Sequence, residues 1–204
     1  MLDRRRHWEA IYGDRKPEEV SWFQESPALS LELIREAAPS KDSRIIDVGG
    51  GASRLVDFLT ADHFSAVTVL DVSGRALAYS SERLGPRAKD VAWIESDVFS
   101  FAPSAPYEVW HDRAVFHFLT EKAERDAYLQ VLRRALKPGG AVILAAFASD
   151  GPEKCSGLPV RRYDAGLVRE AFGGDFELVR ETAETHVTPW KAEQRFSYYR
   201  LMRN

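Results

Sequence analysis

The sequence predicts an α/β fold: a doubly wound, mostly parallel seven-stranded sheet with helices on both faces and a C-terminal antiparallel hairpin. From residue 44 onward, short apolar runs of strand length alternate with helix-like segments, which is typical of a parallel sheet. The first run, 44–48, leads into Gly49, Gly50 and Gly51 and then a helix candidate, a strand–turn–helix corner. The last two strand candidates are joined by a loop of about ten residues, which favours antiparallel pairing over a helical crossover.

Helix and strand signals follow one another in a regular order along the chain. An amphipathic segment over 2–12 and a helix over 27–37, with Pro27 near its first turn, precede the alternating region. The parallel strands are predicted at 44–48, 66–71, 91–95, 107–112 and 140–147. The helices between them are predicted at 52–60, 74–84 and 121–136, and Pro138-Gly139 ends the last of these. A helix at 163–172 then precedes the hairpin strands 175–182 and 193–202.

Composition limits the class of protein and its partners. The chain has 204 residues, 45% hydrophobic and 29% charged, which predicts one ordinary globular domain. A net charge of −3 gives no electrostatic reason to expect a nucleic-acid partner. Cys155 is the single cysteine, and no apolar run resembles a signal peptide or a membrane span. We therefore expect a cytoplasmic protein with no membrane or nucleic-acid partner, whose oligomeric state stays open.

The glycine turn distinguishes between two kinds of nucleotide cofactor. A dinucleotide fingerprint requires a small residue where this chain has Arg54. Asp47 lies two residues before Gly49, where its charge would repel a pyrophosphate in a partly dry site. A cofactor that carries an ammonium group and no phosphate suits this carboxylate better, and S-adenosylmethionine is such a cofactor.

The same stretch resembles the first motif of the class I (seven-stranded) S-adenosylmethionine-dependent methyltransferases. Asp47-x-Gly49-x-Gly51 matches that motif, while Ser53 stands where the family usually has a third glycine. The resemblance implies S-adenosylmethionine as methyl donor and S-adenosylhomocysteine as product. It also implies that Asp47, Gly49–Gly51 and Ser53 hold the methionine end of the donor.

Two further carboxylates follow predicted strands. Asp71 ends the second strand twenty residues after Gly51, where an acidic residue can accept both ribose hydroxyls, with Val72 beside it. The alternative is a helix N-cap at Asp71, although Ser73 can fill that role. In the methyltransferase family an aspartate after the third strand meets the adenine amino group, and the next backbone N–H meets the ring. Asp97 and Val98 match those positions, and a simple turn aspartate is the alternative for Asp97.

The end of the fourth strand carries the candidates for catalysis. His111-Asp112-Arg113 and the residues up to His117 resemble the corresponding stretch of methyltransferase-like protein-lysine enzymes and of thiopurine and tellurite methyltransferases. Asn-Pro-Pro-Tyr is absent, which argues against DNA-base amines and glutamine amides as acceptors. Asp112, His111 and His117 are the candidate general bases, in that order, and His111 is also a candidate donor contact. Arg113 and Phe116 are candidate acceptor contacts, and His111, Asp112 and Arg113 could instead pair with one another.

Aromatic residues near the N-terminus match a second family feature. Trp8, Tyr12, Trp22 and Phe23 resemble the lead-in segment of those subfamilies, which covers the cofactor. Aromatic faces attract a sulfonium cation, by about 1–2 kcal/mol in a dry site. We expect Trp22 to contact the cofactor and Trp8 to anchor its helix to the core.

The remaining expectations concern the acceptor side. Tyr163, His186 and Trp190 are candidate acceptor contacts on C-terminal loops, and each could equally be a surface residue without a role. The histidines show no metal-ligand spacing, so no metal is predicted. The single domain 1–204 divides into an N-terminal helical lid segment (1–40), a cofactor-binding half (41–148), and acceptor-side loops with the terminal hairpin (149–204).

The resemblance predicts a methyltransferase that acts by in-line methyl transfer, with a small-molecule acceptor slightly favoured. A protein-lysine N-methyltransferase is the first alternative. A nicotinamide-dependent oxidoreductase and a non-catalytic cofactor-binding module are further alternatives from other classes.

Overall fold

The computed structural model describes residues 3–204 and contains a sheet of seven strands with helices on both faces. The strands of this sheet are β1 (Arg44–Val48), β2 (Ala66–Asp71), β3 (Val91–Glu95), β4 (Tyr107–Arg113), β5 (Leu136–Phe147), β8 (Phe176–Val187) and β9 (Glu193–Arg203). Two short strands, β6 (Lys154–Cys155) and β7 (Leu158–Pro159), form a separate small hairpin. The helices are α1 (Arg4–Asp14), α2 (Ala28–Ala37), α3 (Leu55–Ala61), α4 (Gly74–Leu84), α5 (Lys122–Ala135) and α6 (Ala165–Phe172).

The strand order is β3-β2-β1-β4-β5-β9-β8. Strands β1 to β5 run parallel, and β9 lies antiparallel between β5 and β8. The predicted doubly wound sheet with its terminal antiparallel hairpin is therefore confirmed. The order in which successive strands are added to the sheet reverses between β1 and β4, which opens a crevice at the carboxyl ends of these two parallel strands.

Alternation along the strands divides the core into two layers. On one face, Ile45 and Val109 pack with side chains from α2, α3 and α4. On the other face, Ile46 and Trp110 pack with side chains from α5 and α6. Because successive strand residues point to opposite faces, neighbouring residues at the end of β4 enter different layers.

The terminal hairpin differs from the prediction in one respect. Strand β8 continues to Val187, so the connection to β9 has five residues, 188–192, in place of about ten. Residues 183–187 pair in register with 193–197 although their side chains are largely polar. One face of this edge strand is exposed to water, so strand pairing there does not require the apolar pattern on which the prediction relied.

The N-terminal region has two parts with different locations. Helix α1 begins after Asp3, whose carboxylate accepts a hydrogen bond from the backbone N–H of Arg6 at 3.0 Å. Leu2, where the amphipathic segment was predicted to begin, lies outside the described residues. Helix α2 buries Leu33 and Ile34 completely against the sheet. No helix within 3–204 is long and apolar enough to cross a membrane.

Candidate functional site

A cavity of about 360 Å³ opens at the carboxyl edge of the parallel strands. Its walls include Asp97 and Val98 after β3, Asp71 and Val72 at β2, Gly49 after β1, and Arg113 at the end of β4. The sheet order places these contributions side by side, from β3 across to β4. The cavity is therefore an elongated site along the strand ends, as ligand crevices in open α/β sheets are.

The glycine turn leaves no space for side chains. Gly49 has φ +68° and Gly51 has φ +38°, which L-residues with a Cβ rarely adopt. A Cβ on Gly50 would lie 2.5 Å from Asp47 Oδ2, and one on Gly51 would lie 2.6 Å from Asp71 Oδ2. The backbone of the turn thus lies directly against two carboxylates. Ser53, at the end of the turn, accepts a hydrogen bond from the backbone N–H of Leu55 at 3.1 Å.

Asp71 lines the cavity, and its pKa is raised above the usual value of an aspartate. Its Oδ1 accepts a hydrogen bond from the backbone N–H of Ser73 at 2.8 Å. Burial raises the pKa of Asp71 to about 7, against the opposing effect of that hydrogen bond. Ser73 Oγ caps α4 by accepting from the N–H of Ala76 at 3.2 Å. Since Ser73 is the N-cap, the carboxylate of Asp71 can accept hydrogen bonds from a ligand.

Asp97 combines a structural contact with a place in the cavity wall. Its Oδ1 accepts a hydrogen bond from the backbone N–H of Phe99 at 2.9 Å and caps a short 3-10 turn, Val98–Ser100. Asp97 and Val98 both line the cavity at its β3 end. Asp97 can therefore cap this turn and also contact a ligand in the cavity.

Aromatic side chains form a further part of the cavity wall. Trp22 meets Trp8 edge to face at 5.5 Å between ring centroids, and its Nε1 donates to Tyr12 Oη at 3.2 Å. Trp8 also meets Phe118 edge to face at 5.3 Å. All four rings line the cavity, so Trp8 borders the site as well as holding α1 in place.

Helix α1 is fixed over the cavity by ionic contacts. Arg4 pairs with Glu124 of α5 at 2.5 Å, and Arg5 pairs with Glu95 of β3. Glu9 accepts a hydrogen bond from Ser73 Oγ at 2.9 Å. These contacts join α1 to α5, to β3 and to the N-terminus of α4.

Asp47 and His111 form a buried pair behind the glycine turn. The register of β1 and β4 places them opposite one another, with Asp47 Oδ1 at 2.7 Å from His111 Nδ1. His111 Nε2 lies 2.9 Å from Ser30 Oγ of α2. Asp47 and His111 line a second, smaller cavity of about 50 Å³, which also includes Gly50, Ser53 and Arg113. Both nitrogens of His111 are thus occupied by protein partners, so its predicted role as a general base is not supported by the geometry.

The structure does not bring Asp112 to the cavity. Alternation along β4 turns it towards α5, where its carboxylate accepts hydrogen bonds from Tyr128 Oη at 2.5 Å and from the N–H of Val115 at 2.9 Å. The N–H of Phe116 is a third donor, at 3.1 Å. Asp112 is fully buried, and burial raises its pKa to about 6. Its position is that of an anchor for the turn after β4, and the expectation that it acts as general base is corrected accordingly.

Asp112→Ala is expected to lower the free energy of unfolding by about 3–5 kcal/mol, because three buried donors lose their shared acceptor. Urea denaturation followed by circular dichroism measures this loss. A variant with wild-type stability and reduced turnover would instead support the catalytic assignment.

The candidate general base His117 and the candidate acceptor contacts Phe116 and Tyr163 are all buried. His117 is fully buried, and burial lowers its pKa to about 3. Phe116 and Tyr163 stack in the core at 5.5 Å, and neither lines the cavity. Phe116 and His117 were predicted from the family resemblance and Tyr163 from its place in a predicted loop, and all three side chains lie in the core. They therefore do not reach an acceptor in this structure.

The two remaining candidates lie at the terminal hairpin. His186 is buried, and its Nε2 lies 2.6 Å from the carbonyl oxygen of Ser21. It therefore holds the N-terminal segment against β8. Trp190 lies in the hairpin connection and is 56% exposed. Neither side chain lines the main cavity.

Several cavity residues lie outside the sequence-based assignment. Phe118, Leu158 and Cys155 line the cavity, and Ala114 adopts φ +71° directly after β4. Burial raises the pKa of the Cys155 thiol to about 12, so it stays protonated. No sequence signature predicts that a non-glycine residue such as Ala114 adopts a positive φ. The β6–β7 hairpin was predicted only as a loop.

Comparison with known proteins agrees with this geometry. Residues 46–142 match a family described as a methyltransferase domain. Thiocyanate methyltransferase 1 of Arabidopsis thaliana is 27% identical over 139 residues, which cover 67% of this chain and 59% of the relative. The match thus spans less than two thirds of that relative's length.

Solved structures share the complete fold at low sequence identity. A protein from a study of disulfide-to-thioacetal conversion during echinomycin biosynthesis superposes with a TM-score of 0.79 and 17% identity, covering 97% of this chain and 91% of that one. An S-adenosylmethionine-dependent methyltransferase from Anabaena variabilis superposes with a TM-score of 0.77 and 18% identity, covering 100% and 96%. Residues 46–142, just under half of the chain, thus resemble a methyltransferase domain, and the seven-stranded fold is shared with a solved S-adenosylmethionine-dependent methyltransferase.

Proposed function

We propose that the protein transfers the methyl group of S-adenosylmethionine to a small molecule. One observation carries the proposal: Asp97, Asp71 and the glycine turn contribute in that order to one cavity along neighbouring strand ends. This order matches adenine, ribose and the methionine half of the donor. The donor supplies an activated methyl group, and the protein's part is to bind, orient and exclude water.

The residues present fit such a donor. The turn at Gly49 and Gly51 allows close approach of the backbone, and Asp71 can accept from ribose hydroxyls. The aromatic wall of Trp8, Tyr12 and Trp22 supplies electron-rich faces for a cation. Asp47 contributes through the buried pair with His111, which supports the turn from behind. The match of residues 46–142 to a methyltransferase domain favours this function over a nicotinamide-dependent oxidoreductase.

A small acceptor agrees with the elements that border the site. Helix α1 and the β6–β7 hairpin border the cavity, through Trp8 and Tyr12 and through Cys155 and Leu158 respectively. The curated relative, a thiocyanate methyltransferase, carries a small acceptor in its name. A protein-lysine acceptor is the alternative that the experiment below separates.

The test is methyl transfer in a lysate with S-adenosylmethionine labelled in its methyl group. We expect label in the small-molecule fraction with wild-type protein and background label with Asp71→Asn. Calorimetric binding of S-adenosylhomocysteine to the wild type is expected in parallel. Label confined to the protein fraction would establish the protein-acceptor alternative, and absence of binding would contradict the methyltransferase itself.

A further inference from the structure

Helix α2 carries a buried hydroxyl group on the face that packs against the sheet. Ser30 has no exposed surface, and Leu33 and Ile34 of the same helix are also fully buried. A buried hydroxyl group needs a hydrogen-bond partner. Ser30 Oγ lies 2.9 Å from His111 Nε2 and 3.4 Å from Tyr198 Oη. The nearer partner of Ser30 is therefore the histidine of β4.

The hydrogen bonds of His111 run in one direction, from Ser30 to Asp47. His111 Nδ1 lies 2.7 Å from Asp47 Oδ1, and a carboxylate accepts hydrogen bonds without donating any. Nδ1 therefore carries a proton. In the neutral imidazole the other nitrogen is an acceptor, so Nε2 accepts from the hydroxyl group of Ser30. Ser30 thus favours the tautomer of His111 that donates to Asp47.

The second carboxylate oxygen of Asp47 faces the glycine turn. A Cβ on Gly50 would lie 2.5 Å from Asp47 Oδ2. The side chain of Asp47 keeps 5% of its surface exposed, and it lines the smaller cavity of about 50 Å³. Tyr12, Trp22 and Gly49 line this cavity and the main one, so the two cavities are neighbours.

The smaller cavity suits a small cationic group. Its volume of about 50 Å³ exceeds the roughly 10–15 Å³ that one water molecule needs, and an ammonium group is similar in size to water. Asp47 contributes a carboxylate to the wall. Arg113 also lines the wall, and its guanidinium lies 3.8 Å from the carboxylate of Glu184, which offsets its charge.

The sheet order places one end of the methyl donor beside this cavity. If Asp97 and Asp71 hold adenine and ribose at β3 and β2, the methionine half lies towards β1 and β4. This step rests on the proposed function. The methionine half ends in an α-ammonium group and a carboxylate, and the ammonium group is the one that Asp47 attracts.

We propose that His111 and Ser30 are positioning residues for the methyl donor. They hold Asp47 so that its Oδ2 meets the α-ammonium group of the donor, directly or through one water molecule. Both residues act through Asp47 and do not contact the donor. A pair that only supported the glycine turn would affect every ligand of the main cavity equally, whereas a positioning pair affects ligands that carry the amino group.

The first measurement compares two ligands that differ only in the amino group. Calorimetry gives the Kd of S-adenosylhomocysteine and of its analogue without the α-amino group, for the wild type and His111→Leu. We expect His111→Leu to weaken binding of S-adenosylhomocysteine about tenfold, since the carboxylate loses a charge-assisted hydrogen bond. The Kd of the deaminated analogue is expected to change by less than about threefold.

His117→Leu is the matched control for this substitution. His117 is a fully buried histidine, and neither of its ring nitrogens has a hydrogen-bond partner in the part of the chain that the structure describes. His117→Leu is expected to leave the ratio of the two Kd values unchanged. His111→Asn keeps an N–H donor in β4 and is expected to retain part of the affinity that His111→Leu loses.

The second measurement tests whether Ser30 acts through His111. We expect Ser30→Ala to weaken binding of S-adenosylhomocysteine about threefold in the wild-type background and to have no further effect in His111→Leu. Ser43→Ala is the control, because Ser43 is a buried serine at the opposite, amino end of β1. It is expected to leave both Kd values unchanged.

Three outcomes would overturn the proposal: equal losses for both ligands in His111→Leu, equal affinity of the wild type for both ligands, or additive effects of Ser30→Ala and His111→Leu. If His111→Leu does not fold, the comparison of the two ligands with Ser30→Ala and His111→Asn decides in the same way. Failure of the wild type to bind S-adenosylhomocysteine would contradict the proposed function itself, which is a different result.

Discussion

Asp71→Asn is expected to weaken binding of S-adenosylhomocysteine by about 10²-fold, since it removes the charge-assisted hydrogen bonds to the ribose that we propose for this carboxylate. The wild-type carboxylate lies in the cavity wall directly beside the glycine turn. Calorimetry with wild type and variant measures the difference. Asp42→Asn is the matched control, because Asp42 is an exposed aspartate bonded to Ser65 at 2.8 Å, and we expect it to leave the Kd unchanged. Equal affinities for wild type and Asp71→Asn would reject the ribose assignment.

The same substitution is expected to stabilise the ligand-free protein at alkaline pH. The pKa of Asp71 is raised from 3.8 to about 7 by burial, so the folded state binds the proton more tightly than the unfolded state. This carboxyl group contributes stability that is complete below about pH 4 and is lost as pH rises through about 7. Asparagine resembles the protonated form and avoids that loss.

Thermal denaturation without ligand tests the sign of this effect. The Tm of Asp71→Asn minus that of the wild type is expected to be larger at pH 8 than at pH 5. If Asp71→Asn weakens ligand binding and raises the Tm, the carboxylate of Asp71 serves ligand binding and lowers the stability of the ligand-free fold. A difference in Tm that does not depend on pH would contradict the raised pKa.

Gly49→Ala is the second substitution with a large expected effect. At φ +68° an L-residue costs about 1–2 kcal/mol, and the new Cβ would overlap Val115 Cγ2, which adds about 1–3 kcal/mol. The free energy of unfolding should fall by roughly 2–5 kcal/mol, with a Tm lower by about 5–15 °C. Urea denaturation gives the free energy directly.

A double-mutant cycle separates the two causes. Val115→Ala removes the methyl groups that the new Cβ meets and leaves the backbone strain unchanged. The double variant Gly49→Ala/Val115→Ala should therefore lose about 1–3 kcal/mol less than the sum of the single variants. Additive losses would mean that Val115 does not limit the space at Gly49.

The prediction from sequence was most accurate for the elements and strand-end positions that the local pattern determines. The bounds of β1, β2, β3 and α4 agree with the predicted segments. Asp71 and Asp97 lie in the cavity wall at the ends of consecutive strands, as expected. Both residues lie at the ends of strands in a parallel sheet. The carboxyl ends of parallel strands always lie at the same edge of the sheet.

The prediction was least accurate one strand further along. His111, Asp112 and Arg113 are consecutive, so the sequence alone treats them as equivalent candidates. Their alternation sends His111 towards Ser30 and Asp112 towards Tyr128, while Arg113 reaches the cavity. Only the packing of α2 and α5 on opposite faces determines which side chain is buried and which meets a ligand.

The sequence by itself determined the sheet, the glycine turn and the kind of cofactor that its carboxylates suit, because these depend on local periodicity and on charges close together in the chain. The tertiary structure decided which polar groups face the site. The hydrogen bonds of His111 with Asp47 and Ser30, and that of Asp112 with Tyr128, join residues 16 to 81 positions apart. Such contacts follow from how the layers pack, and no local pattern encodes them.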